Sequence, residues 1–265
     1  MKICVAGACG RMGRRILELG LAEPDVEIGG AYDLPPLAGT QLILGTESGG
    51  PVTIAVSGDA AAELAKSDVL IDFTTAQGCI GNARLAVQAR KPAVIGATGL
   101  TVAHKTELIG FARQIPIIYA PNMSVGVNLL FKLTSEVAKI LGLDYNVEIS
   151  ETHHNLKKDS PSGTAVRLAE YVAEALGMDY NAHAAHGRHG MLGERPRHQI
   201  GVHALRGGDV IGEHTVSFFG RGERIELTHR AHSRDCFAQG ALKGARFVVS
   251  AAPGLYDMQD VLGLK

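Results

Sequence analysis

Over the first 120 positions, short runs of aliphatic and β-branched residues alternate with longer stretches of helical periodicity. The runs Lys2 to Ala6, Glu27 to Tyr32, Thr53 to Val56, Val69 to Phe73, Ala93 to Ile95 and Ile115 to Tyr119 are near-continuous in apolar residues, as strands covered on both faces must be. Helical spacing predicts helices over about 11 to 22, 60 to 66, 77 to 90 and 102 to 113 between them. Alternation of this kind predicts an α/β fold with a Rossmann-type, doubly wound parallel sheet. The pattern changes near Met123. A long amphipathic helix runs from Ser124 through Leu141, a strand from Asn146 to Ser150 leads into a His-His pair, and a helix spans Thr164 to Leu176. Gln199 to Leu205, Val210 to Phe218 and Arg224 to His232, separated by glycine turns, read as an antiparallel meander, and a closing helix from about Arg234 to Ser250 precedes a short tail. The second region is thus predicted as an α+β domain.

Composition narrows the classes. With 46% hydrophobic and 20% charged residues the 265-residue chain reads as soluble and globular, with room for one large or two ordinary domains. A formal net charge of −1 and the absence of basic runs argue against nucleic acid as a partner. No apolar stretch approaches the ~20 residues of a membrane span, so a cytoplasmic protein is expected. Cys4, Cys9, Cys79 and Cys236 lack metal-ligand spacing and suit reduced thiols. His183, His186 and His189 recur every three residues without a carboxylate or cysteine at ligand spacing, so no metal site is expected.

The densest chemistry lies in Glu151 to Ala165, E-T-H-H-N-L-K-K-D-S-P-S-G-T-A. His153 and His154 supply imidazoles, Lys157 an ammonium, and Ser162, Gly163 and Thr164 open a helix whose first amides suit a carboxylate. A proton donor, a cation and an oxyanion cradle for a small acidic substrate are expected to converge there. At the other end of the chain, strand Lys2 to Ala6 enters Gly7, Ala8, Cys9, Gly10, Arg11, Met12 and Gly13, a G-x-x-G-x-x-G turn where a dinucleotide pyrophosphate would approach a helix start. Asp33 ends the second strand, where an acidic side chain accepts from the adenosine ribose diol. Leu34, Pro35 and Pro36 follow it, so no arginine stands beside Asp33 to meet a 2′-phosphate, which favours NADH. Arg11, Arg14 or Arg15 could still swing over and admit NADPH. Gly96, Ala97 and Thr98, and Ala120, Pro121, Asn122 and Met123, end further strands and are candidate nicotinamide contacts.

The turn G-A-x-G-R-M-G, the run A-P-N-M-S-V-G-V-N at Ala120 to Asn128 and E-x-H-H-x-x-K-x-D-x-P-S-G-T-A together resemble the dihydrodipicolinate reductase family of the lysine pathway. The resemblance continues through Gly193-Glu194-Arg195, Arg206 to Thr215, Glu226 to His229 and Gly254 to Met258. It implies a dinucleotide-binding Rossmann domain of residues 1–123 plus 234–265, a substrate-binding and oligomerisation domain of residues 124–233 built on a mixed sheet, and a homotetramer. It implies reduction of a dicarboxylate heterocycle by NADH or NADPH, with His153 as general acid/base and His154 on the substrate. Lys157 would be proton donor and carboxylate contact, with Gly163 and Thr164 on the second carboxylate. Gly7 to Met12, Asp33, Gly96 to Thr98 and Ala120 to Met123 would hold the cofactor. Two departures bear on cofactor preference: Leu34 stands where NADPH-using members tend to carry arginine, and Met123 replaces a common aromatic residue. His229, His232 and Arg234 are further candidates for substrate contact. A semialdehyde or amino-acid dehydrogenase, or a dinucleotide-binding sensor, would share the glycine turn but has no need of the His153, Lys157 and P-S-G-T set.

Overall fold

The computed structural model describes residues 1–46 and 49–265. They form two compact units, Met1–Val125 with Arg234–Lys265, and Gly126–Ser233. In chain order the first unit contains β1 (Lys2–Ala6), α1 (Arg11–Ala22), β2 (Glu27–Tyr32), β3 (Gln41–Thr46), β4 (Gly49–Ala55), α2 (Ala60–Ala65), β5 (Val69–Asp72), α3 (Ala76–Ala89), β6 (Ala93–Ile95), α4 (Val102–Ala112) and β7 (Pro116–Tyr119). Helix α5 (Val125–Leu141) begins at the boundary, and β8 (Asn146–His153), α6 (Gly163–Ala175), α7 (Tyr180–His183), β9 (Ala184–His186), β10 (Ile200–Arg206), β11 (Gly212–Phe219) and β12 (Arg224–Ala231) belong to the second unit. The chain then returns to the first with α8 (Asp235–Val248), β13 (Gly254–Tyr256) and α9 (Met258–Leu262).

The first sheet is fully parallel, in the order β13-β7-β6-β5-β1-β2. Successive residues of its strands feed opposite cores, as the two-residue period requires. Ile3, Val5, Ile71, Val94 and Ile118 pack with Ile16, Leu17, Leu242 and Val248 on one face. Cys4, Leu70, Ile95 and Ile117 pack with Ile80, Ala83 and Leu108 on the other. Two expectations need correction. Thr53 to Val56 is not a strand of this sheet: through Ala55 it belongs to β4, which pairs only with β3 in an antiparallel hairpin. Leu42 and Leu44 are buried while Ile43 is exposed, the alternation of a ribbon covered on one side. The outermost strand is instead β13, three residues from the segment read as a tail, paired with Pro116 to Ile118.

The second sheet is mixed, in the order β12-β11-β8-β10-β9. β8 runs parallel to β10 and antiparallel to β11, so β10 and β11 are not neighbours and the three-strand meander is wrong. Only β11 and β12 form a hairpin. The turn at Arg206-Gly207-Gly208 crosses the end of β8 instead of folding back. There its backbone finds partners: the Gly207 N–H donates to His153 O at 3.0 Å, while His154 N–H donates to Val210 O at 2.7 Å and Asn155 N–H to Gly208 O at 3.2 Å. One face is apolar, with Val147, Ile149, Ile200, Val202, Val216 and Phe218 packed on Leu130, Phe131, Leu168 and Val172 of α5 and α6. Among the described residues no helix is long and apolar enough to cross a membrane.

Candidate active site

The core face of the second sheet changes character along its strands. Val147 and Ile149 of β8 belong to the core, and Glu151 and His153 continue the same face two and four residues later. β10 goes from Ile200 and Val202 to Ala204 and Arg206, and β11, running the other way, from Phe218 and Val216 to His214 and Gly212. The registers place His214 opposite Glu151, Arg206 beside His153, and His229 of β12 opposite His214. One end of an apolar face therefore carries a carboxylate, a guanidinium and three imidazoles.

Glu151 is the centre of this group and is fully buried. Its Oε2 contacts His153 Nδ1 at 2.5 Å and accepts from Arg206 Nη1 at 2.8 Å. Its Oε1 accepts from Arg206 Nη2 at 2.8 Å and from the Ser162 N–H at 2.9 Å. Burial pushes the carboxyl up, but the contacts to His153, Arg206 and the Ser162 amide outweigh it and lower it to about 2. Ser162 caps α6: its Oγ accepts from the Ala165 N–H at 3.2 Å and contacts His214 Nε2 at 3.0 Å. Burial, reinforced by positive charge at His153, lowers His214 to about 3, so it is neutral at physiological pH. The rings of His153 and His214 meet edge-on with centroids 5.2 Å apart.

The structure thus links His153 to Ser162 through the Glu151 carboxylate and places Gly163 and Thr164 in the first turn of α6, its anion-favouring end. Lys157 pairs with Asp159 at 2.9 Å, and its charge is felt at His214. The His154 side chain stands apart from these bonds; its Nδ1 is buried without a hydrogen-bond partner. His183 closes α7, its Nδ1 on the Asp179 carbonyl at 2.8 Å, and His186 ends β9 beside the Tyr180 ring. Arg234 precedes α8 in the first unit.

In that unit, β1 ends at the point where the strand order turns from β2 on one side to β5 on the other, the usual crevice for a ligand of an open sheet. Gly7 has φ +69°, and a Cβ at Gly13 would stand 2.1 Å from the Gly7 carbonyl oxygen, so both positions need glycine for α1 to start so close to the turn. No side chain caps α1. Asp33 accepts from the Cys9 N–H at 2.9 Å and the Leu34 N–H at 2.8 Å, one on each oxygen. Asp72, buried and raised by that burial, accepts from the Thr74 N–H and hydroxyl, both at 2.7 Å, and fixes Thr74 beside Gly7. An uncapped helix start, a cradle that side chains would fill and an ordered carboxylate fit a dinucleotide. Met123 is 1% exposed and its side chain packs in the core, while a Cβ at Gly240 would come within 1.8 Å of the Met123 carbonyl oxygen, so glycine lets α8 lie close to that backbone. Ala8, Ala97 and Ala120 are also buried, while Thr98 and Pro121 are exposed.

Models of the dihydrodipicolinate reductase N-terminus and C-terminus match residues 1–123 and 126–262. The chain belongs to the dihydrodipicolinate reductase family. Relatives called 4-hydroxy-tetrahydrodipicolinate reductase in Citrifermentans bemidjiense and Geobacter sulfurreducens are 52% and 51% identical, covering 100% of this chain and 100% and 99% of their own. A solved dipicolinate-bound dihydrodipicolinate reductase from Paenisporosarcina sp. TG-14 shares the fold with a TM-score of 0.74 at 23% identity, over 98% of both chains. A dihydrodipicolinate reductase with a Rossmann-type sheet implies a nicotinamide cofactor.

Three residues of the cluster carry no role in the sequence reading. Glu151 was within reach, since a strand that buries His153 turns residue 151 to the same face. Arg206 and His214 lie 55 and 63 positions beyond it, and only the strand register brings them in.

Proposed function

We propose that the chain reduces the dihydrodipicolinate heterocycle (4-hydroxy-tetrahydrodipicolinate) to tetrahydrodipicolinate in lysine and diaminopimelate biosynthesis, using NADH in preference to NADPH. One observation carries the reading: the His153 imidazole rests on a carboxylate that also grips the start of α6, so a proton donor and an anion-holding helix end form one cluster. The bound dinucleotide supplies the hydride. Protonation of the reduced ring falls to His153, whose imidazole can carry and release a proton. Lys157, exchanging Asp159 for substrate, holds one carboxylate and serves as a further proton donor, and His154 contacts the ring. Ser162, Gly163 and Thr164 hold the second carboxylate against the helix dipole.

Gly7 to Met12 receive the pyrophosphate and Asp33 the ribose diol, with Gly96 to Thr98 and Ala120 to Met123 lining the nicotinamide end. Leu34 is 69% exposed and offers no charge to a 2′-phosphate. Of the three arginines on α1 that could compensate, Arg15 is held by Asp235 at 2.6 and 2.8 Å and by Glu18 at 2.8 Å. Arg11 and Arg14 remain to admit NADPH. A homotetramer in the cytosol belongs to the same reading, and a solution mass of four chains tests the assembly.

The test is side-by-side oxidation of NADH and NADPH with heterocycle generated in place from pyruvate and aspartate semialdehyde. Turnover dependent on the generating synthase, with the larger kcat/KM for NADH, is expected. Folded protein that binds dinucleotide yet oxidises neither cofactor would overturn the assignment. Pyridine-2,6-dicarboxylate is expected to raise Tm when dinucleotide is also present.

A further inference from the structure

We propose that Glu151 is the positioning residue of the proton donor: it decides which nitrogen of His153 is turned to the reacting ring, and Arg206 and the start of α6 hold it to that task. The proposal rests on the reading of His153 as proton donor. Each Glu151 oxygen has two partners, His153 Nδ1 and Arg206 Nη1 on Oε2, Arg206 Nη2 and the Ser162 N–H on Oε1. The guanidinium and the amide can only donate, so they require the carboxylate as acceptor. The remaining contact then needs its hydrogen on His153 Nδ1. In the neutral ring Nε2 is therefore the basic nitrogen, and in the imidazolium it carries the one proton free to leave.

The surroundings favour the same orientation. A Cβ at Gly212 would stand 3.0 Å from His153 Nε2, so glycine keeps the space at that nitrogen clear. The His214 ring meets that of His153 edge-on, and a flipped His153 would give up the bond to Glu151 for a C–H contact. Arg206 also donates to the Asp159 carbonyl at 2.8 Å, which ties the segment leading into α6 to the same carboxylate. Ring orientation and the anion-binding helix start are thus set by one group.

The test is a double-mutant cycle on the full-length protein with Glu151→Gln, His153→Gln and the pair, reading kcat and KM with the generated heterocycle and NADH. Glu151→Gln is expected to lower kcat about 10²-fold with the KM for NADH unchanged, and to cost less than about threefold more in the His153→Gln background, because groups acting as a unit are not additive. Nitrogen-15 spectra are expected to show the Nδ1–H tautomer of His153 in the parent and a tautomer mixture in Glu151→Gln. Equal slowing in both backgrounds, or an unchanged tautomer in Glu151→Gln, would reduce Glu151 to a structural ion pair and overturn the proposal. Near-normal turnover of His153→Gln would remove the proton-donor reading itself. If Glu151→Gln does not fold, Arg206→Lys gives the same test: a kcat loss of about tenfold is expected in the parent and none in the His153→Gln background.

Discussion

β8 carries two carboxylates three residues apart, and they face opposite sides of the second sheet. Both are pushed up by burial and pulled down further, to about 2, by arginine and histidine. Glu148 accepts from Arg188 at 2.8 and 2.7 Å, from Arg195 at 2.9 Å, and contacts His203 Nε2 at 2.7 Å. Each arrangement even relies on a glycine of a neighbouring strand: a Cβ at Gly201 would fall 1.8 Å from Glu148 Oε2, as one at Gly212 would crowd His153. A depressed carboxyl with a histidine partner therefore does not by itself identify chemistry. The settings differ. The Glu148 side chain is 19% exposed and fastens Arg188 and Arg195, from the segment between β9 and β10, to the sheet. Glu151 is enclosed and shares its charge with a buried imidazole and a helix start.

The comparison is sharpest in turnover. His153→Gln is expected to lower kcat by about 10²- to 10⁴-fold, whereas His203→Gln, the same change beside the other carboxylate, is expected to stay within about twofold. Steady-state rates at saturating NADH check both, and an equal loss in the two variants would erase the distinction. Glycine replacements come next. Gly212→Ala is expected to cost roughly threefold to tenfold in kcat, since a Cβ 3.0 Å from Nε2 pushes the imidazole by a few tenths of an ångström. Gly201→Ala is expected to keep kcat and lose about 2 to 3 kcal/mol of stability in urea unfolding as Glu148 is forced aside.

The smallest expected effect is on acid stability. Glu148 and Glu151 titrate at about 2 when folded against an ordinary 4.5, so the folded state binds fewer protons, and their stabilisation is complete above pH 4.5 and lost as pH falls toward 2. His214 has the same sign over a different range. Its folded value of about 3 lies below 6.5, so between these limits the unfolded chain takes up a proton that the folded chain refuses. Replacing it with glutamine should recover about 2 kcal/mol at pH 5 relative to pH 7, measured by urea unfolding at both values. Glu148→Gln should flatten only the lower limb.

The parallel sheet was legible because doubly buried strands have to be apolar throughout, as Val69 to Asp72 nearly are. β13 was not, because Gly254, Leu255 and Tyr256 make a strand only through β7. The placing of β8 between β10 and β11 escaped for a related reason. Sequence proximity and the glycines at Gly207 and Gly208 favour a hairpin, and the bonds from Gly207, His154 and Asn155 that overrule it are invisible until the strands are aligned. At the site, residue type and spacing single out His153, Lys157 and the start of α6, while Arg206 and His214 join His153 only through strand register. The core packing of the Met123 side chain, four residues past the end of β7, was not legible there.

The interior position of β8 also bears on how the protein is made. Arg206 is 55 residues beyond Glu151 and His214 is 52 beyond Ser162, so a nascent chain released only as far as α6 has His153 and the helix cap but not the Arg206 guanidinium that pairs with the buried carboxylate. Such separations close late and slowly. During synthesis His153 therefore lacks its full set of neighbours until β10 and β11 arrive on either side of β8.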